Sequence, residues 1–489
     1  MVCGSNDSNF AGRLLRRLGE NSHLIDAATG QTLSGKEVPG LIVGFAAGFL
    51  SAGLQADDRV LISCGLSPAS TLAYLGAMYA GLVPVPVDER ALATSGDSLF
   101  ARARAKAVWV AKRVRCDWAT KNGVTQIEGS FGARPAHSLP PAPCAEEDLA
   151  VLMPTSGSTG APRLVMVSHG NLSANTEAIV RNQRLGTGEK AMLIMPVSYC
   201  FGASVMHSHL YQGGGVVLDS RFMFPDKVLH AINTYGCTTF AGVPAVYNIL
   251  LRRSNFRSIR LPGLRRFLQA GGALAPESIQ QIHSIVPTAD YFVMYGQTEA
   301  TARISSLPPD RLDEKLGSVG LPLDNLVIRI IDDEGRELAA GQTGEIQVRG
   351  PSVCSGYFDD PEATERKFGD GWLKTGDFAC RDDEGYVWIK GRTSEFIKIR
   401  GVRVSFGEVE TKVAAVPGVY ECAATATQHS EAGEALALFI VADDGASIVV
   451  ERVRRALPPQ WTCAAVRVVP ELPKTENGKI ARSQLRTMA

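Results

Sequence analysis

Through the first two thirds of the chain, short apolar, β-branched runs alternate with longer helix-like stretches. The runs include 59–64 (RVLISC), 107–111 (AVWVA), 149–154 (LAVLMP) and 215–219 (GVVLD), with helical patterns such as 70–80 (STLAYLGAMYA) and 225–235 between them. A short strand with no polar face must be covered on both sides, and strands separated by helices run parallel. The alternation therefore predicts an α/β fold: a large N-terminal domain of helix-covered parallel sheets. Past residue 320 the character changes. The runs 327–332, 344–350 and 385–390 read as short strands, and Asp-Asp-Glu-Gly recurs at 332–335 and 382–385, which fits hairpin turns in an antiparallel, β-rich subdomain. From Gly391 onward the chain reads as a small α+β unit with helices over 407–415 and 446–456. The main boundary is expected at 391–395, giving an N-terminal domain of residues 1–391 and a C-terminal domain of residues 392–489. A length of 489 residues accommodates two or three domains.

Fifty basic and fifty acidic residues cancel, so no net field draws the chain to nucleic acid or to an anionic membrane. The N-terminal segment MVCGSNDSNFAGRLLRRLGE lacks the apolar core of a signal peptide, and the apolar stretch 38–50 is too short to span a bilayer. Both features predict a cytoplasmic protein. None of the ten cysteines forms a CxxC pair, which argues against zinc-ribbon or thioredoxin chemistry and for thiols used as small buried hydrophobes.

The most informative segment is Thr155-Ser156-Gly157-Ser158-Thr159-Gly160-Ala161-Pro162-Arg163. Small hydroxyl residues and glycines follow an apolar run, so backbone N–H groups can approach an oxyanion closely, and Arg163 adds a forked cation. It is not a Walker A loop, which needs Gly-Lys-Ser/Thr opening a helix; here 164–167 (LVMV) reads as a strand. A run of this composition alone is also what a solvated loop looks like. Its place between two apolar strands, with a cation at its end, favours anion binding.

With Arg163 at a position where lysine is usual, this loop resembles that of the adenylate-forming superfamily of acyl-CoA synthetases, peptide-synthetase adenylation domains and luciferases. Further family-like segments follow in order over roughly residues 75–480: 76–88 (GAMYAGLVPVPVD), Tyr295-Gly296-Gln297-Thr298-Glu299, 344–346 through Gly356-Tyr357, Lys374-Thr375-Gly376-Asp377, Gly391-Arg392 through Glu410, and 473–479 (PKTENGK). The resemblance implies ATP-dependent activation of a carboxylic acid to acyl-AMP, with release of pyrophosphate. Joining a carboxylate to a phosphate ester brings two anions together, so charge must be neutralised and attack aligned.

By the same resemblance, Thr155, Ser156, Gly157, Ser158, Thr159 and Gly160 hold the outer phosphates with Arg163. Thr298 bonds the α-phosphate, Glu299 holds Mg²⁺, and Tyr295, Gly296, Gln297, Gly271, Gly272 and Ala273 border the adenine. Asp377 takes the ribose hydroxyls with Arg392 beside it. Lys479 bridges phosphate and acyl oxygen during adenylation. The C-terminal domain then rotates about a hinge at Ser394, where relatives usually carry Asp or Lys, and brings Lys398 and Gly401 to the mouth of the second-substrate site. The Arg163 and Ser394 departures leave a non-catalytic nucleotide-binding relative as one alternative. An unrelated ATPase or kinase with a glycine-rich loop is another.

The resemblance puts the acid pocket at Tyr199, Cys200, Phe201, Gly202, Val243, Gly271 and Gly296. No carboxylate lies between Pro196 and Leu210 to pair a substrate ammonium, so a free α-amino acid is disfavoured. Tyr199, Cys200 and Phe201 suit an aryl or medium acyl acid, although each is also an ordinary core residue. His207 and His209 do not share a helix face and are not read as a metal pair. The acceptor is expected to be the thiol of coenzyme A. A carrier-protein phosphopantetheine arm and an amine remain as alternatives.

Overall fold

A computed structural model describes residues 8–111, 114, 116–135, 137–155, 162–392, 396–399, 402–429, 433–442, 446–459, 461–473 and 480–489. The chain divides into two units, Met1–Ile328 with Gln347–Lys374, and Arg329–Ile346 with Thr375–Ala489.

In the first unit, His23–Asp26, Gly215–Leu218, Lys190–Leu193, Thr239–Gly242, Arg266–Gln269 and Asp290–Tyr295 are parallel neighbours in a nine-stranded sheet. Short antiparallel strands close both edges. A second, four-stranded parallel sheet runs Val83–Val87, Arg59–Ser63, Ala107–Val110, Thr125–Glu128. The expected rhythm is visible directly: the Pro68–Tyr79 helix links Arg59–Ser63 to Val83–Val87, and nearly all of its residues are buried. It lies against the Val38–Ser51 helix so closely that a Cβ on Gly76 would sit 2.5 Å from that of Phe45. Phe45, Phe49, Trp109 and Phe131 form an edge-on aromatic cluster behind this contact, where each fully buried ring contributes roughly 2–3 kcal/mol of apolar burial. No helix among the described residues is long and apolar enough to cross a membrane.

One run departs from the parallel pattern. Leu149–Thr155 and Arg163–Ser168 pair with each other in a two-stranded antiparallel ribbon, with Thr155 opposite Arg163. The physical reason is length: a parallel return needs a crossover of a dozen or more residues, and too few separate the two strands. Residues 356–358 extend the ribbon, with Tyr357 bridged to Val165 and flanked by Met166 N–H to Gly356 C=O (2.9 Å) and Phe358 N–H to Leu164 C=O (2.8 Å).

Val327–Ile331, Gly344–Arg349, Leu373–Arg381 and Val387–Arg392 form a four-stranded sheet in that order, and the limits of the units fall within its first three strands. The repeated Asp-Asp-Glu-Gly sequence makes the same turn twice. Asp332 Oδ1 accepts N–H bonds from Glu334 and Arg336 (3.0 and 2.9 Å), and Asp382 Oδ1 from Glu384 and Tyr386 (3.1 and 2.9 Å). Gly335 and Gly385 take the positive φ that each turn needs, +82° and +86°.

The rest of the second unit is a five-stranded sheet of Val402–Ser405, Phe396–Ile399, Gly433–Ala442, Val419–His429 and Cys463–Val468. The Phe406–Ala414 and Ala446–Ala456 helices fall where the periodicity puts them, and Arg482–Met488 adds a third. Leu436, Leu438 and Ile440 from the sheet meet Phe406, Val409, Val413 and Val453 from the helices in the core of this unit.

Candidate active site

The antiparallel ribbon places Arg163 at the start of its second strand. Its Nε bonds Asp360 Oδ2 at 3.3 Å, and its guanidinium carbon lies 5.3 Å from the centre of the Tyr357 ring. That ring carries the arrangement onward: the Tyr357 hydroxyl donates to Glu299 Oε1 at 2.7 Å. Burial, and then the Glu299 charge, push the Tyr357 phenol well above its usual range, so it stays a donor. The second oxygen of Glu299 carries no hydrogen bond or ion pair among the described residues. The 3₁₀ turn Thr298–Ala300 holds Glu299, and it is tied down by Cys354 N–H to Glu299 C=O at 2.9 Å.

Thr298 Oγ1 donates to Cys200 Sγ at 3.4 Å, which joins this turn to the N-terminus of the Cys200–Tyr211 helix. Burial raises the Cys200 pKa, which favours the thiol over the thiolate. Gln297 presents a buried side-chain amide nitrogen with no protein partner among the described residues. At Gly296 a Cβ would fall 1.7 Å from the Ala302 carbonyl oxygen, so only glycine fits.

Tyr199, Val243 and Gly271 come together. Gly271 has φ of +84°, and a Cβ there would meet the Tyr199 hydroxyl at 2.6 Å and Val243 Cγ1 at 3.1 Å. Gly272 C=O accepts from Gln269 Nε2 at 2.7 Å, while Gly271, Gly272 and Ala273 lie on an exposed loop. Phe201 is buried edge-on to Tyr199, at 6.4 Å between centroids. Gly202 is not brought to this group: its α-carbon faces the carbonyls of Met195 and Pro196. His207 and His209 are buried further along the Cys200–Tyr211 helix. His209 bonds Val205 C=O (2.9 Å) and Thr239 Oγ1 (3.1 Å), and His207 lies between the rings of Phe10 and Tyr74.

In the second unit, Asp377 and Arg392 are cross-strand partners, with Nε to Oδ1 at 3.2 Å. The carboxylate is 7% exposed and the guanidinium side chain 67% exposed, so Asp377 is set into the sheet while Arg392 reaches outward. Lys398 pairs with Arg403 through the backbone of adjacent strands. The side chain of Lys398, and Ser156, Gly157, Ser158, Thr159, Gly160, Ser394, Gly401 and Lys479 as a whole, lie outside the described residues.

The family described as AMP-binding enzyme matches residues 14–358, and its C-terminal domain matches residues 408–479. The chain belongs to the AMP-binding enzyme family. A feruloyl-CoA synthase from Amycolatopsis sp. is 31% identical over 94% of each chain. A long-chain-fatty-acid–CoA ligase from Salmonella typhimurium is 32% identical over 70% of this chain and 62% of the relative. The solved structure of ATP-bound MatB from Rhodopseudomonas palustris superposes with a TM-score of 0.88 at 27% identity, covering 98% of both chains. This AMP-binding enzyme is an AMP-forming acid–CoA ligase: it activates a carboxylic acid as acyl-AMP and passes the acyl group to coenzyme A.

Two residues of the AMP-binding enzyme escaped the sequence reading. Tyr357 lay in a quoted segment but had no assigned role, because nothing in the spacing pairs it with a residue 58 positions away. Arg303, buried against Phe201, follows the Tyr295–Glu299 motif in the stretch ATARISS. A lone cation among small and apolar neighbours was the available signal.

Proposed function

We propose that this ligase acts on an aryl or medium acyl carboxylic acid, not a free α-amino acid, with the site residues in the roles their motifs imply. The acid lies against Tyr199, Phe201 and Val243, with Gly271 leaving room for it; these walls are apolar and aromatic and offer no carboxylate for an ammonium. Its carboxylate faces Thr298. Thr155 through Gly160 and Arg163 receive the outer phosphates of ATP, Asp377 and Arg392 its ribose, and Tyr295 with the 271–273 loop its base.

The observation that carries this reading is Glu299, with one oxygen fixed by Tyr357 and the other without a partner among the described residues, two positions after Gln297, whose buried amide nitrogen likewise has none there. A lone hard oxygen donor fits Mg²⁺, which is commonly held by one or two carboxylates together with substrate phosphates. The orphaned Gln297 donor fits a nucleobase or phosphate acceptor. Mg²⁺, when bound, offsets charge on the phosphates; the chain's own part is to hold Glu299 still through Tyr357 and to keep Thr298 turned by its contact with Cys200. Residues 392–489 act as the lid that turns about Ser394 between the two half-reactions.

A carrier-protein phosphopantetheine arm presents the same thiol as coenzyme A and is a second acceptor to test. The test is acid-dependent exchange of labelled pyrophosphate into ATP, across aryl, fatty and amino acids, followed by product analysis with coenzyme A or a loaded carrier. AMP, pyrophosphate and an acyl thioester are expected. Preference for an α-amino acid would overturn the pocket reading, and exchange with no acid at all would leave only a nucleotide binder.

A further inference from the structure

Among the described residues of the first unit two arginines are buried, and they are treated differently. Arg266 pairs Glu189 at 3.0 Å and donates to the carbonyls of Gln183 and Arg184 at 2.9 and 3.2 Å. Arg303 is 2% exposed and has no carboxylate or carbonyl partner for its guanidinium among the described residues. Its polar neighbour is the sulfur of Met294, a weak acceptor facing Nη1. Its backbone is pinned: Asn175 Nδ2 donates to its carbonyl at 2.9 Å, and Asn175 Oδ1 accepts its N–H at 3.3 Å. The backbone at Arg303 is thus fixed, while among the described residues its guanidinium is not neutralised.

The guanidinium packs on a ring that belongs to the proposed acid pocket. Its carbon lies 5.4 Å from the centre of the Phe201 ring, and Phe201 meets Tyr199, whose hydroxyl closes on Gly271. Burial lowers the Arg303 pKa to about 10, so the group is still cationic at neutral pH. An uncompensated charge in a dry site is strongly unfavourable, and a cation–π contact offsets only part of that cost. A structural strut would resemble Arg266, satisfied by protein oxygens. A cation with no carboxylate partner among the described residues, packed on a ring of the proposed pocket, is placed to take an anionic group of the substrate.

We propose that Arg303 is a specificity-determining residue that ion-pairs a second carboxylate on the acid substrate, so that the enzyme prefers a dicarboxylic acid, activating one end while Arg303 holds the other. The inference rests on the reading of Tyr199, Phe201, Val243 and Gly271 as the acid pocket. The same absence of a pocket carboxylate that disfavours an ammonium leaves this cation free to take an anion.

The test compares pyrophosphate release from pairs of acids on one carbon skeleton, the monoacid and the diacid, over a series of lengths and one aryl pair. The wild-type enzyme should favour the diacid at some length by at least about tenfold in kcat/KM. Arg303→Met should lose at least about tenfold on that diacid while holding or gaining on the monoacid. Arg303→Lys, which keeps the charge and loses the fork, should retain a weakened preference. A wild-type preference for the monoacid at every length overturns the proposal, and this is measured without any variant, so a misfolded Arg303→Met does not shelter it. An equal loss on both acids in Arg303→Met also overturns it, because Arg303 would then serve the reacting carboxylate or the fold. Turnover of monoacids alone sinks only this inference, whereas no pyrophosphate release from any acid sinks the pocket reading beneath it.

Discussion

A single methyl group at position 271 tests the acid pocket. Gly271→Ala places a Cβ 2.6 Å from the Tyr199 hydroxyl on a backbone with φ of +84°. Strain of about 1–2 kcal/mol in stability is expected, together with a rise of roughly tenfold or more in KM for the acid. Removing the hydroxyl in a Gly271→Ala/Tyr199→Phe double variant should recover part of the KM and none of the stability, because the φ strain remains. Steady-state kinetics and urea melts separate the two effects; a double variant no better than the single would show that Tyr199 does not close on Gly271 in solution. At this scale the sequence was partly readable. Residue types close in the chain, such as Thr298 and Glu299, declared their chemistry through their motif. Pairings across long separations did not: the Tyr357 hydroxyl on Glu299 and the Asn175 clasp on Arg303 depend on tertiary packing of segments far apart in the chain.

Elements in this protein are hooked to one another by neutral histidines. His169, at the head of the His169–Asn182 helix, accepts the Phe10 N–H at 3.1 Å; His209, on the Cys200–Tyr211 helix, accepts from or donates to Thr239; His207 lies between two rings. Burial lowers their pKa values to about 4, about 4 and about 3 respectively. The folded values lie below the unfolded value near 6.5, so the unfolded chain takes up protons first as pH falls. Stability is therefore full above pH 6.5 and is lost as the pH drops toward 4, by several kcal/mol between pH 7 and 5 for the three together. The urea midpoint should fall over that window, and His207→Leu should flatten the slope; a midpoint independent of pH would mean the histidines accept protons inside the fold. The helices that carry these residues were legible because their apolar periodicity is strong. The Leu149–Thr155 ribbon was not, since a short apolar run looks the same in a parallel sheet or a hairpin, and only the distance to the next strand distinguishes them.

For the whole chain, the division of labour between the units makes a kinetic statement. If residues 392–489 serve as a lid presenting Lys479 to one half-reaction and Lys398 to the other, then Lys479→Ala should slow acyl-AMP formation by roughly a hundredfold or more, yet leave thioester formation from supplied acyl-AMP within a few-fold of wild type. Single-turnover assays of each half-reaction check this, and equal losses in both would end the assignment. The α/β class and the change to a β-rich region past residue 320 were legible because period and turn chemistry are local properties. Where compact units part was less so: the first unit takes in Gln347–Lys374 after the chain has already visited the second, a return that no local pattern announces.

The ribbon that opens at Thr155 and resumes at Arg163 has one more implication. Thr155 and Arg163 face each other as cross-strand partners, so the chain leaves and re-enters the ribbon at two points held in register. If residues 156–160 receive phosphate as proposed, mutations there can retune that grip while the paired strands on either side stay fixed. Affinity for nucleotide and integrity of the fold can therefore drift independently over evolutionary time.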